Sequence, residues 1–314
     1  PTKPSLFELA RVEEGMTSIL GDVCNLDDVR EVISDCEPEI VFHMAAQPLV
    51  LYSYMHPVET YATNIMGTVN ILEGVRQSKT VRSVVVVTSD KCYENNEWVW
   101  GYRENDPMGG RDPYSSSKGC AELITSAYRR SYFTRRDDSG LSKSIATVRA
   151  GNVIGGGDWA EDRLVPDIIK AIIEERPVVI RHPDAIRPWQ FVLEPLSGYL
   201  RVAERLWTQG EELAGAWNFG PNDEDARPVS WVVELITRLW GEEARWELDP
   251  ADNLHEAMYL KLDCSKAKSL LGWSPKVHLC EALEWTVEWY QGYRRNRNMR
   301  ELTEDQISRY ETLE

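Results

Sequence analysis

The sequence predicts an α/β protein: a doubly wound parallel sheet joined to a smaller C-terminal domain. Three features carry that expectation. Apolar β-branched runs alternate with helical periodicity through the first half of the chain, the rhythm of βαβ units with right-handed crossovers. Ser83-Val84-Val85-Val86-Val87-Thr88 has no polar interruption, as expected of a strand buried on both faces. The chain has 314 residues, enough for a sheet domain and a smaller partner.

In chain order, 25–34 reads as a helix, 39–43 as a strand and 57–77 as one long helix. The valine run at 84–87 follows. Asp112-Pro113 then has the form of an N-cap with proline in the first turn, which opens a helix over 114–132. A strand at 145–148 completes the alternation. Beyond Gly151 the pattern loosens into Gly- and Trp-containing loops near 155–159 and 187–190, with helices near 163–175, 193–208, 229–240 and 279–293. The expected division is a sheet domain over 1–151 and a substrate domain over 152–314, some segments of which return to the sheet. Arg294, Arg295, Arg297 and Arg300 mark a solvated helix end. There are no repeats or low-complexity runs.

Candidate chemistry sits at the carboxyl end of the valine strand, the edge where open α/β sheets bind ligands. Ser89-Asp90-Lys91 falls just past that strand, and Tyr114 and Lys118 follow four residues apart on one helix face. A phenol titrates near about 10, so a phenolate base needs help, and an ammonium on the same face is expected to lower its pKa.

Composition narrows the classes. A formal net charge of −16 argues against nucleic acid and anionic membranes as partners. A phosphate-bearing substrate would then need local arginines. Arg149, Arg163, Arg181 and Arg187 fall close together in sequence, and Arg163 and Arg187 are the expected contacts. The six cysteines form no C-x-x-C pair and read as reduced thiols of a cytoplasmic protein. The five histidines have no i,i+4 partner, so no metal site is expected. No apolar stretch approaches the length of about 18 residues needed for a membrane helix. Most of the twelve tryptophans should fill core, with Trp159 and Trp189 placed to stack on a base or sugar.

Tyr114-Ser115-Ser116-Ser117-Lys118 together with Ser89 resembles the signature of the extended short-chain dehydrogenase/reductase family. Several further segments are similar to those of the CDP-glucose 4,6-dehydratases. They are Thr88-Ser89-Asp90-Lys91-Cys92-Tyr93, Arg149-Ala150-Gly151-Asn152, Gly155-Gly156-Gly157-Asp158-Trp159, Arg187-Pro188-Trp189-Gln190, Trp217-Asn218-Phe219-Gly220-Pro221 and Leu262-Asp263-Cys264-Ser265-Lys266. The resemblance runs from about Pro4 to Trp289. It implies a Rossmann-like NAD-binding domain and a nucleotide-sugar substrate, CDP-glucose. It also implies a homodimer formed through two long helices, here 57–77 and 114–132.

The resemblance further implies a set of roles. Tyr114 takes the 4-hydroxyl proton with help from Ser89, and Lys118 supports Tyr114. Asp90, kept protonated by burial, is the acid for the departing 6-hydroxyl, and Lys91 is the base at C5, acting as the free amine. Asp22 and Val23 would meet the adenine end of NAD. Met44, Ala45, Ala46 and Gln47 would form the turn approaching its phosphates and ribose. Thr63 and Thr88 would be further contacts, and Asn64 a proton-relay asparagine. Asn152, Arg163, Arg187, Asn218, His255 and Tyr259 are the implied substrate contacts. Leu51 departs from the arginine the family would place there.

Nothing before Gly21 supplies the Gly-rich turn that cradles a dinucleotide pyrophosphate at a helix N-terminus. The expectation is therefore an N-terminally truncated sheet domain that binds NAD weakly or not at all. Two other readings stay open on the sequence. One is an epimerase or decarboxylase of the same fold, which would not need the Asp-Lys pair. The other is a non-catalytic NAD-binding scaffold, which would not need the Tyr-Lys pair.

Overall fold

The structure is a computed structural model that describes residues 2–133, 142–241, 245–248 and 259–313. A single turn, α1 (Leu6–Leu9), precedes α2 (Leu26–Cys36), which Asn25 caps by accepting the amide of Asp27. β1 (Ile40–His43) leads into α3 (Val50–Met55) and α4 (Pro57–Tyr61), then into α5 (Gly67–Gln77). After β2 (Ser83–Val87) comes the long α6 (Pro113–Tyr132), then β3 (Ser144–Ala150) and β4 (Asn152–Ile154). α7 (Leu164–Ile173), β5 (Val178–Ile180), β6 (Ile186–Phe191) and α8 (Leu193–Gln209) follow, with β7 (Gly215–Phe219) next. The described chain ends through β8 (Ala226–Pro228), α9 (Val229–Trp240), β9 (Trp246–Leu248), α10 (Leu279–Arg294) and α11 (Met299–Thr312).

The main sheet is parallel throughout, in the order β1-β2-β3-β7. Its middle strand shows why an unbroken valine run works. Val84 and Val86 enter one apolar cluster with Leu72, Val75 and Ile145, while Val85 enters another with Val202, Leu206 and Trp217. Alternate side chains thus leave opposite faces, and helices cover both. β7 returns from the second half of the chain to pair with β3. α8 lies on the same sheet, where Ala203 accepts the hydroxyl of Ser83 at 3.0 Å. A third cluster, built from α7, α9, α10 and α11 with β4 to β6, forms the core of the C-terminal half.

Several expectations change. The predicted helix over 57–77 is three pieces, because a π-helical turn, Ala62–Met66, separates α4 from α5. The arginine-rich stretch at 294–300 is the turn between α10 and α11, with Asn296 left-handed at φ 54°. Trp159 and Trp189 are core residues. Trp159 meets Tyr290 and Tyr293 edge-on, and both tryptophans are buried in the C-terminal cluster. Among the described residues β1 pairs only with β2, and its Ile40 and Phe42 are exposed.

Candidate active site

Two elements meet to make the site. β2 ends at Val87, and Ser89 caps a 3₁₀ turn, Asp90–Cys92, its Oγ accepting the Lys91 amide at 3.2 Å and donating to Asp90 Oδ1 at 3.0 Å. α6 begins where Asp112 accepts the Ser115 amide at 2.8 Å, with Pro113 in the first turn. That start is pinned from outside the helix: the Tyr114 amide donates to Ser53 Oγ at 3.2 Å. Ser89, Asp90, Tyr114 and Lys118 are all less than a tenth exposed.

Electrostatics tie these groups together. Burial raises the Asp90 carboxyl above its ordinary value, against the pull of Lys91, the Ser89 hydrogen bond and the charge of Arg187. Burial also pushes the Tyr114 phenol up to about 12, with Ser89 and Arg163 working downward and Asp90 and Asp112 upward. This corrects the expectation that Lys118 would draw the phenol down. The ammonium stands 6.0 Å from the Tyr114 ring centroid and donates to the Val87 carbonyl at 3.3 Å, so desolvation prevails. Lys118 itself is lowered to about 8 by burial, opposed by Glu122.

A polar layer surrounds the cluster. Asn64, in the π turn, donates to Ser117 Oγ at 2.8 Å and to the Gln47 carbonyl at 3.0 Å, while its Oδ1 accepts the Gln47 amide. π turns recur at functional sites because the extra residue re-aims a side chain. His43 at the end of β1 shares a hydrogen bond with Thr68, and burial together with the charge of Lys118 lowers it to about 4. Gly151 sits close enough that a Cβ there would stand 3.1 Å from Asp90 Oδ2 and 3.3 Å from Pro188 Cγ.

The other sequence candidates divide. Arg163 at the start of α7 pairs with Asp158 at 3.0 Å, and its charge bears on Tyr114. Arg187 on β6 is buried and bears on Asp90. Arg149 pairs instead with Glu122, and Arg181 with Asp162. Asn152 is half-buried and in register with Trp189. Asn218 is not brought to the site. It is fully buried, accepts the Tyr93 hydroxyl and donates to the carbonyls of Tyr102 and Asp263, which uses both ends of its amide. Tyr259 is half-buried beside Lys261, with no contact to the cluster among the described residues. His255 lies outside the described residues.

On the cofactor side, Asp22 Oδ1 accepts the Cys24 amide, and the Val23 carbonyl accepts Asn70 Nδ2. Met44 and Ala45 are exposed at the end of β1, with Ala46 and Gln47 half-buried beyond them. Cys24 Sγ donates to the Thr63 hydroxyl at 3.9 Å. The Thr88 hydroxyl donates to Glu122 at 2.5 Å and its amide to the Val148 carbonyl at 2.9 Å.

Sequence reading missed Glu122, Tyr199 and Gly151 as parts of the site. Glu122 was within reach of pattern, one turn beyond Lys118 on the same face. Tyr199 on α8 had no local signal. It is a buried phenol raised by desolvation and by the charges of Asp90 and Tyr114. Two cavities lie elsewhere, about 440 Å³ around Arg82 and Trp207 and about 600 Å³ behind Glu122 and Arg149. Glu224, Asp225 and His278 also gather, but there Asp225 caps α10 by accepting the Leu279 amide at 2.9 Å.

Comparison with known proteins places this geometry. The chain matches the family model described as GDP-mannose 4,6 dehydratase over residues 5–286. It is 54% identical over 310 residues to a CDP-glucose 4,6-dehydratase of Salmonella typhimurium, covering 99% of this chain and 86% of that protein. A dTDP-glucose 4,6-dehydratase of Haemophilus influenzae is 25% identical over 289 residues, 86% of this chain and 81% of its own.

Among solved structures, dTDP-glucose 4,6-dehydratase of Bacillus anthracis in complex with NAD has a TM-score of 0.71 at 22% identity, over 90% of this chain and 82% of that one. UDP-glucose 4-epimerase of Thermotoga maritima with UDP-glucose has a TM-score of 0.74 at 24% identity, over 87% and 84%. At such identities these likenesses establish the fold alone, the Rossmann-type sheet the sequence predicts.

Proposed function

Because this chain belongs to the GDP-mannose 4,6-dehydratase family of extended short-chain dehydrogenases/reductases, we propose that it dehydrates CDP-glucose to CDP-4-keto-6-deoxyglucose. The supporting observation is a buried carboxyl, raised by desolvation, hydrogen-bonded to the serine that flanks a buried Tyr-Lys pair. An epimerase needs the tyrosine, lysine and serine, but has no task for a protonated acid beside them.

The site fits NAD on its own chemistry. Lys118 has three N–H donors, is 6% exposed, and among the described residues has one hydrogen-bond acceptor, Val87 O. Ribose hydroxyls would complete its bonding. The exposed Met44-Ala45 turn, with Ala46 and Gln47, presents backbone at the same sheet edge, and Val23, next to Asp22, is held beside α5 by Asn70. NAD, when bound, supplies the hydride acceptor for C4 and the hydride donor for C6.

The side chains manage the protons. Tyr114 takes the proton of the 4-hydroxyl as C4 becomes a ketone, with Ser89 holding the oxygen. Lys118 beneath it offsets the charge of the phenolate that must form before it can take that proton, which matters most in a site that burial has made hostile to phenolate. The 4-ketone acidifies C5–H, and Lys91 removes that proton. Asp90 gives its proton to the 6-hydroxyl, which leaves as water and creates the C5–C6 double bond. Reduction at C6 and return of a proton to C5 complete the product. In sum C4 is oxidised, C6 is reduced to a methyl and one water is lost. Arg163 and Arg187 are the proposed diphosphate or sugar contacts, with Asn152 beside them.

The test is incubation of the purified full-length protein with CDP-, dTDP- and GDP-glucose, followed by mass spectrometry and the alkaline absorbance of 4-keto sugars. Loss of one water from CDP-glucose is the expected result. A 4-epimer of unchanged mass would overturn it in favour of an epimerase, and no turnover with retained NAD binding would favour a scaffold.

Further parts of the reading are that the protein is a homodimer and works in the cytoplasm. Val58, Met66, Leu123 and Tyr132 expose apolar surface along α4, the π turn and α6, the surface through which such a dimer would close. Sedimentation equilibrium tests it. Six free thiols suit a reducing compartment, and no helix among the described residues is long and apolar enough to cross a membrane.

A further inference from the structure

Behind the proposed acid and base lies an ion pair that the proton transfers do not use. Glu122 is one turn beyond Lys118 on α6, and Arg149 stands on β3; both are about 95% buried or more. The Glu122 carboxylate takes four bonds. Arg149 donates Nε and Nη2 to its two oxygens at 2.8 Å each, Thr88 donates at 2.5 Å and Thr147 at 2.7 Å. The spare donors of Arg149 reach the Tyr93 hydroxyl at 2.6 Å and the Glu104 carbonyl at 3.1 Å. Tyr93 continues to Asn218 on β7. Two of these contacts sit beside the proposed catalytic turn. Thr88 precedes Ser89, and Tyr93 closes the turn that carries Asp90 and Lys91.

We propose that the Glu122–Arg149 pair is a positioning device. It fixes the end of β2, the turn after it, β3 and α6 at one distance, so that Ser89 and Asp90 face Tyr114 and Lys118. This deepens the proposed function and rests on it. Stability alone is a weak reason for such a pair, since buried ion pairs are often replaceable by apolar residues at no cost.

The pair also sets the charge state around Lys118. The groups acting on Lys118 or shifted by it are Glu122, Cys92 and His43, with the Tyr114 ring above it. His43 is held neutral and Cys92 is raised well above its usual range, so Glu122 supplies the one ionised acid among them. Glu122 in turn faces Arg149, with Cys92 and Arg129 within its field.

The test compares Thr88→Val, Glu122→Gln and the double variant Glu122→Leu/Arg149→Met with the parent, in the full-length protein. The double variant removes both charges together and leaves no unpaired ion. Each is followed by thermal unfolding, by kcat and KM for CDP-glucose across pH, and by acetylation of Lys118 against pH without cofactor or substrate, read by peptide mass spectrometry.

The expected result is a native-like unfolding midpoint in the double variant with kcat reduced about 10- to 100-fold and KM within about twofold. Glu122→Gln should move the acetylation midpoint of Lys118, and the alkaline limb of kcat, about one pH unit towards neutrality. Thr88→Val, which spares the ion pair, should lower kcat without moving that midpoint. Folded variants with parental kcat and an unmoved acetylation midpoint would overturn the proposal. Should the parent itself fail to convert CDP-glucose, the functional reading falls, and the acetylation midpoint still decides the role of the pair.

Discussion

The proposed acid role asks that Asp90 resist ionising, and burial raises its carboxyl against Lys91, Ser89 and Arg187. Asp90→Asn should therefore still oxidise C4 but stall before water leaves, with kcat down about 100-fold and the near-ultraviolet absorbance of reduced nicotinamide accumulating in single-turnover measurements. Steady turnover at the parental rate would remove Asp90 from the acid role. Gly151 serves the same residue by leaving room. A methyl there meets the Asp90 carboxylate at 3.1 Å with Pro188 behind it, so one of them must shift. Gly151→Ala should slow water loss about tenfold or more while C4 oxidation proceeds, measured by the same two readouts. Ser89, Asp90, Tyr114 and Lys118 were legible in sequence because two short segments carry them. Gly151 was legible as part of a motif, but its reason, the approach of a carboxylate, needed coordinates.

At the scale of elements, α6 carries most of the site, and its first turn decides where Tyr114 points. Asp112 holds that turn by accepting both the amide and the hydroxyl of Ser115. Asp112→Ala should cost about 1 kcal/mol of stability, measurable in urea unfolding, and lower kcat through the displaced tyrosine. The stretch over 57–77 shows the limit of pattern. Its apolar spacing reads as one helix, yet an extra residue enters the turn at Ala62–Met66 and brings Asn64 onto Gln47 and Ser117. Thr68 supports the bulge by donating to the Asn64 carbonyl at 2.7 Å. Periods of 3.6 and slightly more cannot be told apart over five residues, so only the hydrogen bonds reveal the break.

For the whole molecule, pH dependence follows from groups that folding moves away from their ordinary values. His43 is lowered from 6.5 to about 4, chiefly by burial. The unfolded chain therefore binds the extra proton first. Stability is complete above about pH 6.5 and falls as pH drops towards 4, a contribution of about 3 kcal/mol. Asp167 runs the other way. Burial raises it from 3.8 to about 6, so its contribution is present at low pH and lost as pH rises through 6. Asp90, Glu104 and Glu194, also raised by burial, act in the same direction as Asp167. In chemical unfolding, His43→Gln should lose less stability than the parent as pH falls from 7 to 4, which changes the slope over that range. An unchanged slope in the variant would assign the acid sensitivity elsewhere. The same scale holds the exposed apolar faces of β1, α4 and α6, which the chain as a string of elements could not have reported.

By itself the sequence determined the class of fold and which side chains are candidates for the site. Hydrophobic period and strand-end polarity are local properties, written in a few neighbouring residues. It could not decide that Asn218 is consumed by a buried network, that Arg149 answers Glu122, or that Tyr199 feels the charge of Asp90. Those depend on which segments far apart in the chain become neighbours. In a desolvated interior the hydrogen bonds and charges of those neighbours, more than a side chain's own chemistry, set what it can do.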